Sequence, residues 1–304
     1  MDTEETYSFS ALETIQFTGV SLAVVGHPVK HSISPAMHNS ALAKLSETDE
    51  RFKDWAYYRF DIGPEQLAEA LPLFHRQGFR GLNLTIPHKV QALDLLKEIA
   101  PEARSMGAVN TLVRNDTGYF GLNTDGYGLE RGLELDLGIT FKGASVMVLG
   151  AGGAARSAAA QAILSGCTRL YMGNRTEGRL SSLVDVLKPL SSKAGIQTFG
   201  LNELPRDLPE SGIVINATAL GLNSEDPAPI DVAQLPTDWK VYDMIYNPSR
   251  TLLIEQAKAR GLKVANGLSM LVHQGARALE AWTHTVVDSG VMMAAARNAL
   301  TLSA

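Results

Sequence analysis

Short apolar runs alternate with helical periodicities along most of the chain, and this alternation falls into two series. The first series begins near residue 21 and the second begins at Ser145. Strands that alternate with helices are typical of β-α units and a largely parallel sheet. The chain has 304 residues, more than the ~100–200 of an average domain. Pattern and length together predict two α/β domains, each with its own core.

The first series predicts three strands and three helices. Strands are expected at 22–25, 57–60 and 81–86, and helices are expected at 35–45, 64–77 and 88–99. Residues 1–18 precede this pattern. We expect them to form a loosely ordered extension, and we assign no function to it.

The second series predicts a sheet of at least five strands. Strands are expected at 145–149, 169–173, 213–216, 241–244 and 263–265, and helices at 155–165, 177–187 and 251–260. A helix at 270–282 and an Ala-rich segment at 291–300 follow the last strand. Because the second sheet is then complete, we expect these two segments to return to the first domain.

Composition and charge narrow the class of protein. Lys and Arg number 27 against 32 Asp and Glu, a formal charge of −5 with no basic run, which argues against a nucleic-acid binder. The single cysteine excludes an internal disulfide and suits a reducing compartment. The acidic start lacks a secretory signal pattern, and no apolar run approaches the ~18 residues of a membrane span. We therefore expect a cytoplasmic protein without a membrane or nucleic-acid partner.

The histidines of the chain do not form a recognisable metal-binding pattern. His27, His31 and His38 are spaced unlike a standard zinc site, and no cysteine accompanies them. A zinc-dependent enzyme is therefore not expected, and we predict no bound metal.

A glycine-rich turn carries the strongest chemical signal. The apolar strand at 146–149 leads into Gly150, Ala151, Gly152, Gly153 and Ala154, and an Ala-rich helix follows. This fits the G-x-G-x-x-A fingerprint, in which glycines let the backbone approach a pyrophosphate at the helix N-terminus. A structural turn is the alternative. The strand before the turn and the helix after it favour a dinucleotide site.

The end of the next strand bears on the choice between NAD and NADP. NAD sites usually carry an acidic residue there, which binds the ribose 2′-hydroxyl. This chain has Asn174, Arg175 and Thr176 instead. An arginine can pair with a 2′-phosphate, although a solvated loop arginine is common. Glu177 follows directly, so NADP is favoured and NAD stays open.

Two serines after the first strand form a candidate carboxylate site. Ser32 and Ser34 lie two residues apart in an extended segment and should project to the same side. Two convergent hydroxyls suit a carboxylate. The alternative is that Ser34 only caps the helix that opens at Pro35.

The strand at 81–86 and the residues after it form a second polar group. Its apolar residues alternate with Asn83 and Thr85, which should point to the opposite face and resemble a ligand wall. Lys89 then falls in the first turn of a helix, where a cation opposes the helix dipole. A locally unfavourable placement of this kind often marks a functional residue.

Two further polar residues belong to this candidate site. Asp125 in G-L-N-T-D-G supplies a carboxylate that could pair with Lys89, although an Asp at a helix start is ordinarily a cap. Gln274 lies on the apolar stripe of the helix predicted at 270–282 and needs a partner if it is buried.

Taken in order, these motifs resemble the shikimate dehydrogenase family. The resemblance runs from about Leu22 to Trp282 through G-H-P-V-K-H-S-I-S-P-A-M-H-N, N-L-T-I-P-H-K, G-A-V-N-T, G-L-N-T-D-G, V-L-G-A-G-G-A-A-R, N-R-T, I-N-A-T-A-L-G-L, Y-D-M-I-Y-N-P and G-L-S-M-L-V-H-Q-G-A. It implies NADPH-dependent reduction of 3-dehydroshikimate to shikimate, on the route to chorismate and aromatic amino acids. It also implies a substrate domain at 1–124 and 268–304 with a mainly parallel sheet, a Rossmann NADP domain at 125–267, and possible homodimers.

The resemblance also assigns roles to individual residues. Lys89 would be the acid/base residue, working with Asp125, and Ser32 and Ser34 would hold the substrate carboxylate. The ring hydroxyls would be held by Asn83, Thr85, Asn110, Asp125 and Gln274. The cofactor would contact the glycine turn from Gly150 to Ala154, the 2′-phosphate residues Asn174, Arg175 and Thr176, and further Thr218, Met244 and Gly267. Tyr246 would bind the substrate and line the site near the nicotinamide.

Two alternatives remain at this point. A quinate/shikimate dehydrogenase of the related type often uses NAD and tends to carry an acidic residue where Arg175 stands. A non-catalytic NADP-binding regulator on the same scaffold should have lost the catalytic pair, yet Lys89 and Asp125 are both present.

Overall fold

A computed structural model describes residues 2–191, 194–201 and 203–302 of the chain. The described residues divide into two compact units. The first unit comprises the described residues of Met1–Thr124 and Val272–Ala304, and the second comprises Asp125–Leu271. The family resemblance predicts a domain boundary at 268, four residues before the boundary between these units.

The first unit contains a seven-stranded sheet in the order β1-β3-β2-β4-β6-β7-β5. The strands are β1 (Thr6–Ser8), β2 (Val20–Gly26), β3 (Trp55–Asp61), β4 (Gly81–Leu84), β5 (Glu98–Ile99), β6 (Thr111–Asn115) and β7 (Gly118–Leu122). Strand β6 pairs antiparallel with β4 and with β7, and every other neighbouring pair is parallel. The sheet is therefore mainly parallel, as the sequence predicts.

The second unit contains a six-stranded sheet in which every pair is parallel. Its strands are β8 (Ser145–Leu149), β9 (Arg169–Gly173), β10 (Gly195–Phe199), β11 (Ile213–Asn216), β12 (Lys240–Asp243) and β13 (Lys263–Asn266). Their order is β10-β9-β8-β11-β12-β13, which is the doubly wound 3-2-1-4-5-6 order of Rossmann sheets. Strand order reverses between β8 and β11, and ligands bind at the carboxyl ends of strands at such a point.

Helices connect the strands of both units. They are α1 (Ala11–Thr14), α2 (Ser34–Ser46), α3 (Leu67–Arg76), α4 (His88–Leu95), α5 (Pro101–Met106), α6 (Asp125–Gly132), α7 (Gly153–Leu164), α8 (Glu177–Leu187), α9 (Leu252–Ala259), α10 (Leu268–Thr283) and α11 (Ser289–Leu302). Helix α11 packs against α2 in the first unit, so the Ala-rich segment does return to the first unit.

The expectation of a loosely ordered N-terminal extension is wrong. Strand β1 pairs in parallel with β3 at the edge of the sheet. Tyr7 and Phe17 are buried, and the Phe17 ring meets the rings of Phe60 and Phe79 at centroid distances of 5.5 and 5.2 Å. These apolar residues follow no regular period, so the pattern did not reveal that tertiary contacts order them.

Two predicted elements of the first unit end earlier than expected. The strand predicted at 81–86 ends at Leu84, and Ile86 is 68% exposed. The antiparallel partner β6 pairs with residues 81–83 and the parallel partner β2 with residues 81–84, so neither ladder extends beyond Leu84. The helix predicted at 88–99 ends at Leu95. Glu98–Ile99 instead forms a strand because it pairs with β7.

Candidate functional site

The glycine turn of the second unit connects β8 to α7. Gly150 has a φ of +117°, in the region that favours glycine. A Cβ at this position would also lie 2.8 Å from the carbonyl oxygen of Ala217. Residue 150 therefore has to be glycine for two independent reasons.

The N-terminus of α7 fits a pyrophosphate. Gly152 is the N-cap, and no side chain caps the helix. A Cβ at Gly152 would meet no atom of the chain within 4 Å, so open space lies beside the first turn of this 12-residue helix. Helix N-termini with free N–H groups attract anions. The turn from Gly150 through Ala154 thus has the shape and the dipole that a dinucleotide needs.

The carboxyl end of β9 carries the residues predicted to select the cofactor. Arg175 and Thr176 are exposed, and Asn174 is half-buried. The Asn174 side-chain amide donates to the carbonyl of Thr176 over 3.0 Å, which fixes the start of α8. Glu177, the alternative acidic residue, is the first residue of that helix.

A buried polar network at the ends of β11 and β12 escaped the sequence analysis. The Asn216 amide donates to Oδ1 of Asp243 over 2.9 Å, and Oγ1 of Thr251 donates to Oδ2 over 2.6 Å. Burial raises the pKa of Asp243, against the effect of these donors and of the Ile245 N–H. Oδ1 of Asn216 accepts from the backbone N–H and the hydroxyl of Thr218. Thr218, a predicted cofactor residue, is thus held by Asn216, whose amide is in turn bonded to the buried Asp243 carboxyl group.

A charged residue at the end of an apolar strand was the available sequence signal for this network. Asp243 ends β12 in Y-D-M-I-Y-N-P, but the partners of its carboxylate come from other segments. Only the parallel pairing of β11 with β12 places Asn216 opposite Asp243.

The segment after β12 passes close to Gly267. A Cβ at Gly267 would lie 2.0 Å from the carbonyl oxygen of Met244, so no other residue fits. The Gly267 N–H donates to the carbonyl of Ile245 over 3.2 Å. Burial raises the pKa of Tyr246 on the same segment. Three of the predicted nicotinamide-side residues are therefore neighbours.

In the first unit, the two predicted carboxylate-binding serines are adjacent in space. The Ser32 hydroxyl donates to Oγ of Ser34 over 3.2 Å and accepts from the Ser34 N–H at 3.3 Å. Helix α2 begins at Ser34 itself, and Ile33 occupies the N-cap position without a side-chain cap. The alternative in which Ser34 caps the helix is therefore wrong.

Amide side chains from distant segments of the first unit form a second buried network. Asn83 accepts from the Tyr57 hydroxyl at 2.7 Å and donates to the carbonyl of Asn110 at 3.2 Å. The Asn110 amide donates to Oγ1 of Thr124 at 2.9 Å and to Oε1 of Gln274 at 3.2 Å. Asn83, Asn110, Thr124 and Gln274 are all buried. The need of Gln274 for a partner is met, and Thr124 is a member that the sequence analysis missed.

Thr85 and Lys89 lie just beyond this network. Thr85 is half-buried, and its N–H donates to the carbonyl of Val25 over 2.9 Å. Lys89 is half-buried, falls in the first turn of α4, and its carbonyl accepts from the Val109 N–H at 2.8 Å. The predicted position in a first turn is confirmed, while its catalytic role stays a prediction.

Asp125 is the first residue of α6 and is 3% exposed. It belongs to the second unit, whereas Lys89 belongs to the first. A carboxylate in the first turn suits the helix dipole. Its pairing with Lys89 stays a prediction.

These features define a class: an α/β protein with a Rossmann unit and a second α/β unit that carries a buried polar network. Family models match three parts of the chain. They describe the shikimate dehydrogenase substrate binding domain (residues 24–112), shikimate / quinate 5-dehydrogenase (residues 134–223) and the shikimate 5'-dehydrogenase C-terminal domain (residues 267–297).

Individual proteins similar to this chain belong to the same family as these models. A shikimate dehydrogenase (NADP(+)) of Desulforamulus reducens is 39% identical over 270 residues, which cover 88% of this chain and 91% of the relative. The structure of shikimate 5-dehydrogenase from Thermus thermophilus with NADP(H) and shikimate superposes with a TM-score of 0.80 at 38% identity, covering 92% of this chain and 100% of that one. The chain belongs to the shikimate dehydrogenase family.

A structural neighbour with a different substrate also appears. Quinate dehydrogenase from Corynebacterium glutamicum, in complex with NAD, has a TM-score of 0.81 at 29% identity and covers 94% of this chain and 99% of its own. The fold therefore does not separate the two activities.

Among the described residues, no helix combines the length and apolar character needed to cross a bilayer. In those ranges no cluster of three or more His, Cys, Asp or Glu side chains is arranged to bind a metal.

Proposed function

We propose that this chain catalyses the reversible NADPH-dependent reduction of 3-dehydroshikimate to shikimate. The observation that carries the proposal is the buried network of Asn83, Asn110 and Gln274, whose amides suit the hydroxyls of a polyhydroxylated ring. It occurs in a chain whose relatives are named shikimate dehydrogenase (NADP(+)). Shikimate production of this kind belongs to chorismate and aromatic amino acid biosynthesis.

The substrate residues follow from the chemistry of the acid. Ser32 and Ser34 present two hydroxyls 3.2 Å apart, and hydroxyl donors suit the two oxygens of a carboxylate. Asn83, Thr85, Asn110, Asp125 and Gln274 bind the ring hydroxyls. This half of the site orients the ketone, since positioning supplies much of an enzyme's rate enhancement.

The catalytic step joins a hydride and a proton to a ketone. NADPH, when bound, supplies the hydride to the carbonyl carbon. The carbonyl oxygen becomes a hydroxyl and needs one proton, which the ammonium of Lys89 donates, while the Asp125 carboxylate stabilises that ammonium. In the reverse direction Lys89 accepts the proton.

The second unit supplies the cofactor site. The turn at Gly150, Ala151, Gly152, Gly153 and Ala154 takes the pyrophosphate, and Asn174, Arg175 and Thr176 take the 2′-phosphate. Thr218, Met244 and Gly267 would hold the rest of the cofactor, and Tyr246 would bind the substrate near the nicotinamide. Support comes from the uncapped helix and the open space at Gly152.

A quinate dehydrogenase is the second candidate. The NAD-bound structural neighbour from Corynebacterium glutamicum favours it, and the exposed Arg175 opposes it because an NAD site usually carries an acidic residue there. The carbon that bears the carboxylate is planar in shikimate and carries an extra hydroxyl in quinate. Burying that hydroxyl unpaired costs ~1–3 kcal/mol, roughly 5- to 150-fold in kcat/KM.

The deciding experiment measures kcat/KM for shikimate and quinate, each with NADP⁺ and NAD⁺ at one pH. We expect shikimate with NADP⁺ to be preferred. If quinate with NAD⁺ equals or exceeds it, the second candidate is correct. Activity with neither acid rejects both and favours a non-catalytic NADP-binding role. A substrate domain at 1–124 and 268–304, a Rossmann domain at 125–267, a cytoplasmic location and a homodimer stay predictions.

A further inference from the structure

Arg59 joins three separate parts of the first unit. Its Nε donates to Oγ1 of Thr6 over 2.8 Å, one terminal nitrogen donates to the carbonyl of Ser32 over 2.8 Å, and the other donates to the carbonyl of Glu4 over 2.6 Å. The planar guanidinium presents its donors in a rigid fork. It therefore ties the N-terminal segment to the loop that carries the two serines.

The position of Arg59 follows from strand pairing. Arg59 lies in the middle of β3, and the parallel register of β1 places Thr6 opposite it. Side chains alternate along a strand, so Arg59 shares a face with Tyr57, whose hydroxyl contacts Asn83. The arginine thus lies on the same face of the sheet as the polar network.

The N-terminal segment is itself firmly held. Tyr7 and Leu12 are 5% and 1% exposed. The Gln77 side-chain amide donates to the carbonyls of Leu12 and Ile15. Because burial and these bonds anchor the N-terminal segment, it gives Arg59 two acceptors, Thr6 in β1 and Glu4 just before it.

Arg59 contacts only neutral acceptors in its three hydrogen bonds, namely a hydroxyl and two carbonyls. None of the ion pairs between described residues involves Arg59. The bond to Ser32 holds the loop backbone at the residue whose hydroxyl contacts Ser34.

We propose that Arg59 and the N-terminal strand β1 position the Ser32–Ser34 loop for the substrate carboxylate. Arg59 is a positioning residue, because its bond to the loop is to the Ser32 backbone carbonyl and not to either serine hydroxyl. The role of the carboxylate rests on the proposed function, whereas the ordering of the loop does not. Loss of the hydrogen bond between Arg59 and the Ser32 carbonyl should make the Ser32–Ser34 loop more mobile. It should weaken binding of the substrate acid more than it lowers kcat.

The first experiment compares Arg59→Met with Arg114→Met. Arg114 is exposed and donates to a backbone carbonyl, that of His75, in the same unit, so it controls for charge and for a lost backbone contact. We expect Arg59→Met to raise KM for shikimate about 10-fold, with kcat within about 3-fold and NADPH affinity unchanged. Arg59→Lys should restore part of the loss. Equal KM values for Arg59→Met and the parent overturn the proposal.

A matched substrate separates loop positioning from general damage. The methyl ester of shikimate lacks the carboxylate charge. If Arg59 acts through the Ser32–Ser34 loop, its substitution should change KM for the ester by less than about 2-fold. The ester and the Arg59 substitution both remove the interaction of this loop with the carboxylate, so their effects are not additive. Equal losses with the acid and the ester contradict the proposal.

Two further variants test the N-terminal segment. Deletion of residues 2–9 removes Glu4 and Thr6 but keeps the charge of Arg59, and Thr6→Val removes one acceptor with little risk to folding. We expect the deletion to match Arg59→Met and Thr6→Val to raise KM by about 2- to 3-fold. If neither changes KM, the strand has no positioning role and that half of the proposal fails.

Hydrogen exchange gives a readout that needs no substrate. The amides of Ser32 and Ser34 bond to the Val29 carbonyl and the Ser32 hydroxyl, and they should exchange about 10-fold faster in Arg59→Met but not in Arg114→Met. Unchanged exchange overturns the proposal. Faster exchange in a protein that does not oxidise shikimate supports the positioning role and rejects the proposed function, so the two failures are distinguishable.

Discussion

The imidazole of His38 stacks on the phenol ring of Tyr57, with ring centroids 4.0 Å apart and planes inclined by 12°. His38 is fully buried, and its Nδ1 lies 2.9 Å from the carbonyl oxygen of Ser34. The hydroxyl of Tyr57 donates to Asn83. The stacked pair therefore connects the start of α2 with the buried amide network.

This burial makes the stability of the first unit depend on pH. Burial lowers the pKa of His38 from 6.5 to about 4. In the unfolded chain His38 is protonated below about pH 6.5, whereas in the folded chain it stays neutral down to about pH 4. The free energy of unfolding is therefore highest above pH 6.5 and falls as the pH drops from 6.5 to 4. At ~1.4 kcal/mol per pKa unit the loss is about 3 kcal/mol.

Hydrogen exchange of the β2 and β3 amides between pH 7 and 4, corrected for intrinsic rates, measures this loss. His38→Gln keeps a donor for the Ser34 carbonyl but has no ionisable ring, so it should flatten the dependence. Burial also lowers the pKa of His88, and its contribution is the same in both proteins. Parallel pH profiles for the parent and the variant would count against His38.

Arg175 should set the cofactor preference. It is exposed at the end of β9, and a charge-assisted contact contributes ~1.5–3 kcal/mol. Arg175→Ala should weaken NADP binding roughly 10- to 150-fold and leave NAD binding nearly unchanged. Titration of both cofactors checks this, with Arg169→Ala at the opposite end of the strand as the control. Equal weakening for the two cofactors would contradict the assignment.

Lys89 should govern the chemical step. Removal of a general acid/base group typically lowers the rate ~10²–10⁴-fold. We expect Lys89→Ala to lower kcat within this range, with a smaller change in KM. Steady-state kinetics would show it, and Lys97→Ala, an exposed lysine of the same unit, should behave like the parent. A kcat within a few-fold of the parent would leave Lys89 as a binding or surface residue.

Thr251 should stabilise the second unit through Asp243. It is 2% exposed, donates to Oδ2 of Asp243 at 2.6 Å and accepts from the N–H of Ile254 as the N-cap of α9. Thr251→Val preserves its shape but removes both bonds, at a cost of ~1–3 kcal/mol. Thermal unfolding would measure the loss. Thr168→Val, at an exposed threonine of the same unit, is the control, and equal stability of the two variants would refute the prediction.

Local pattern alone predicted much of the second unit. The bounds expected for the strands at 145–149, 169–173 and 213–216 are those observed. These strands are buried on both faces, so each appears as a short apolar run. The glycine turn follows one of them directly. A strand, a turn and a helix that are adjacent in sequence can be predicted from their own residues alone.

Contacts between distant residues account for what the pattern did not predict. Strand β10 has only exposed and half-buried residues at the sheet edge, so it shows no apolar run. The β6–β7 hairpin and β5 were missed because their identity as strands depends on pairing partners. The early end of β4 likewise depends on the length of its ladders with β2 and β6.

In the candidate site, too, some features could be predicted from the sequence and others depend on tertiary structure. Residue types and motifs were sufficient to select Ser32, Asn83, Lys89, Arg175 and Gln274, because polar residues stood where a simple element would not need them. Their partners were decided by tertiary structure. Asn110 meets Gln274 across a sequence separation of 164 residues, and Arg59 meets Thr6 only because β1 pairs with β3. Periodicity reports the local environment of a residue, whereas strand order and register decide which distant side chain completes its hydrogen bonds.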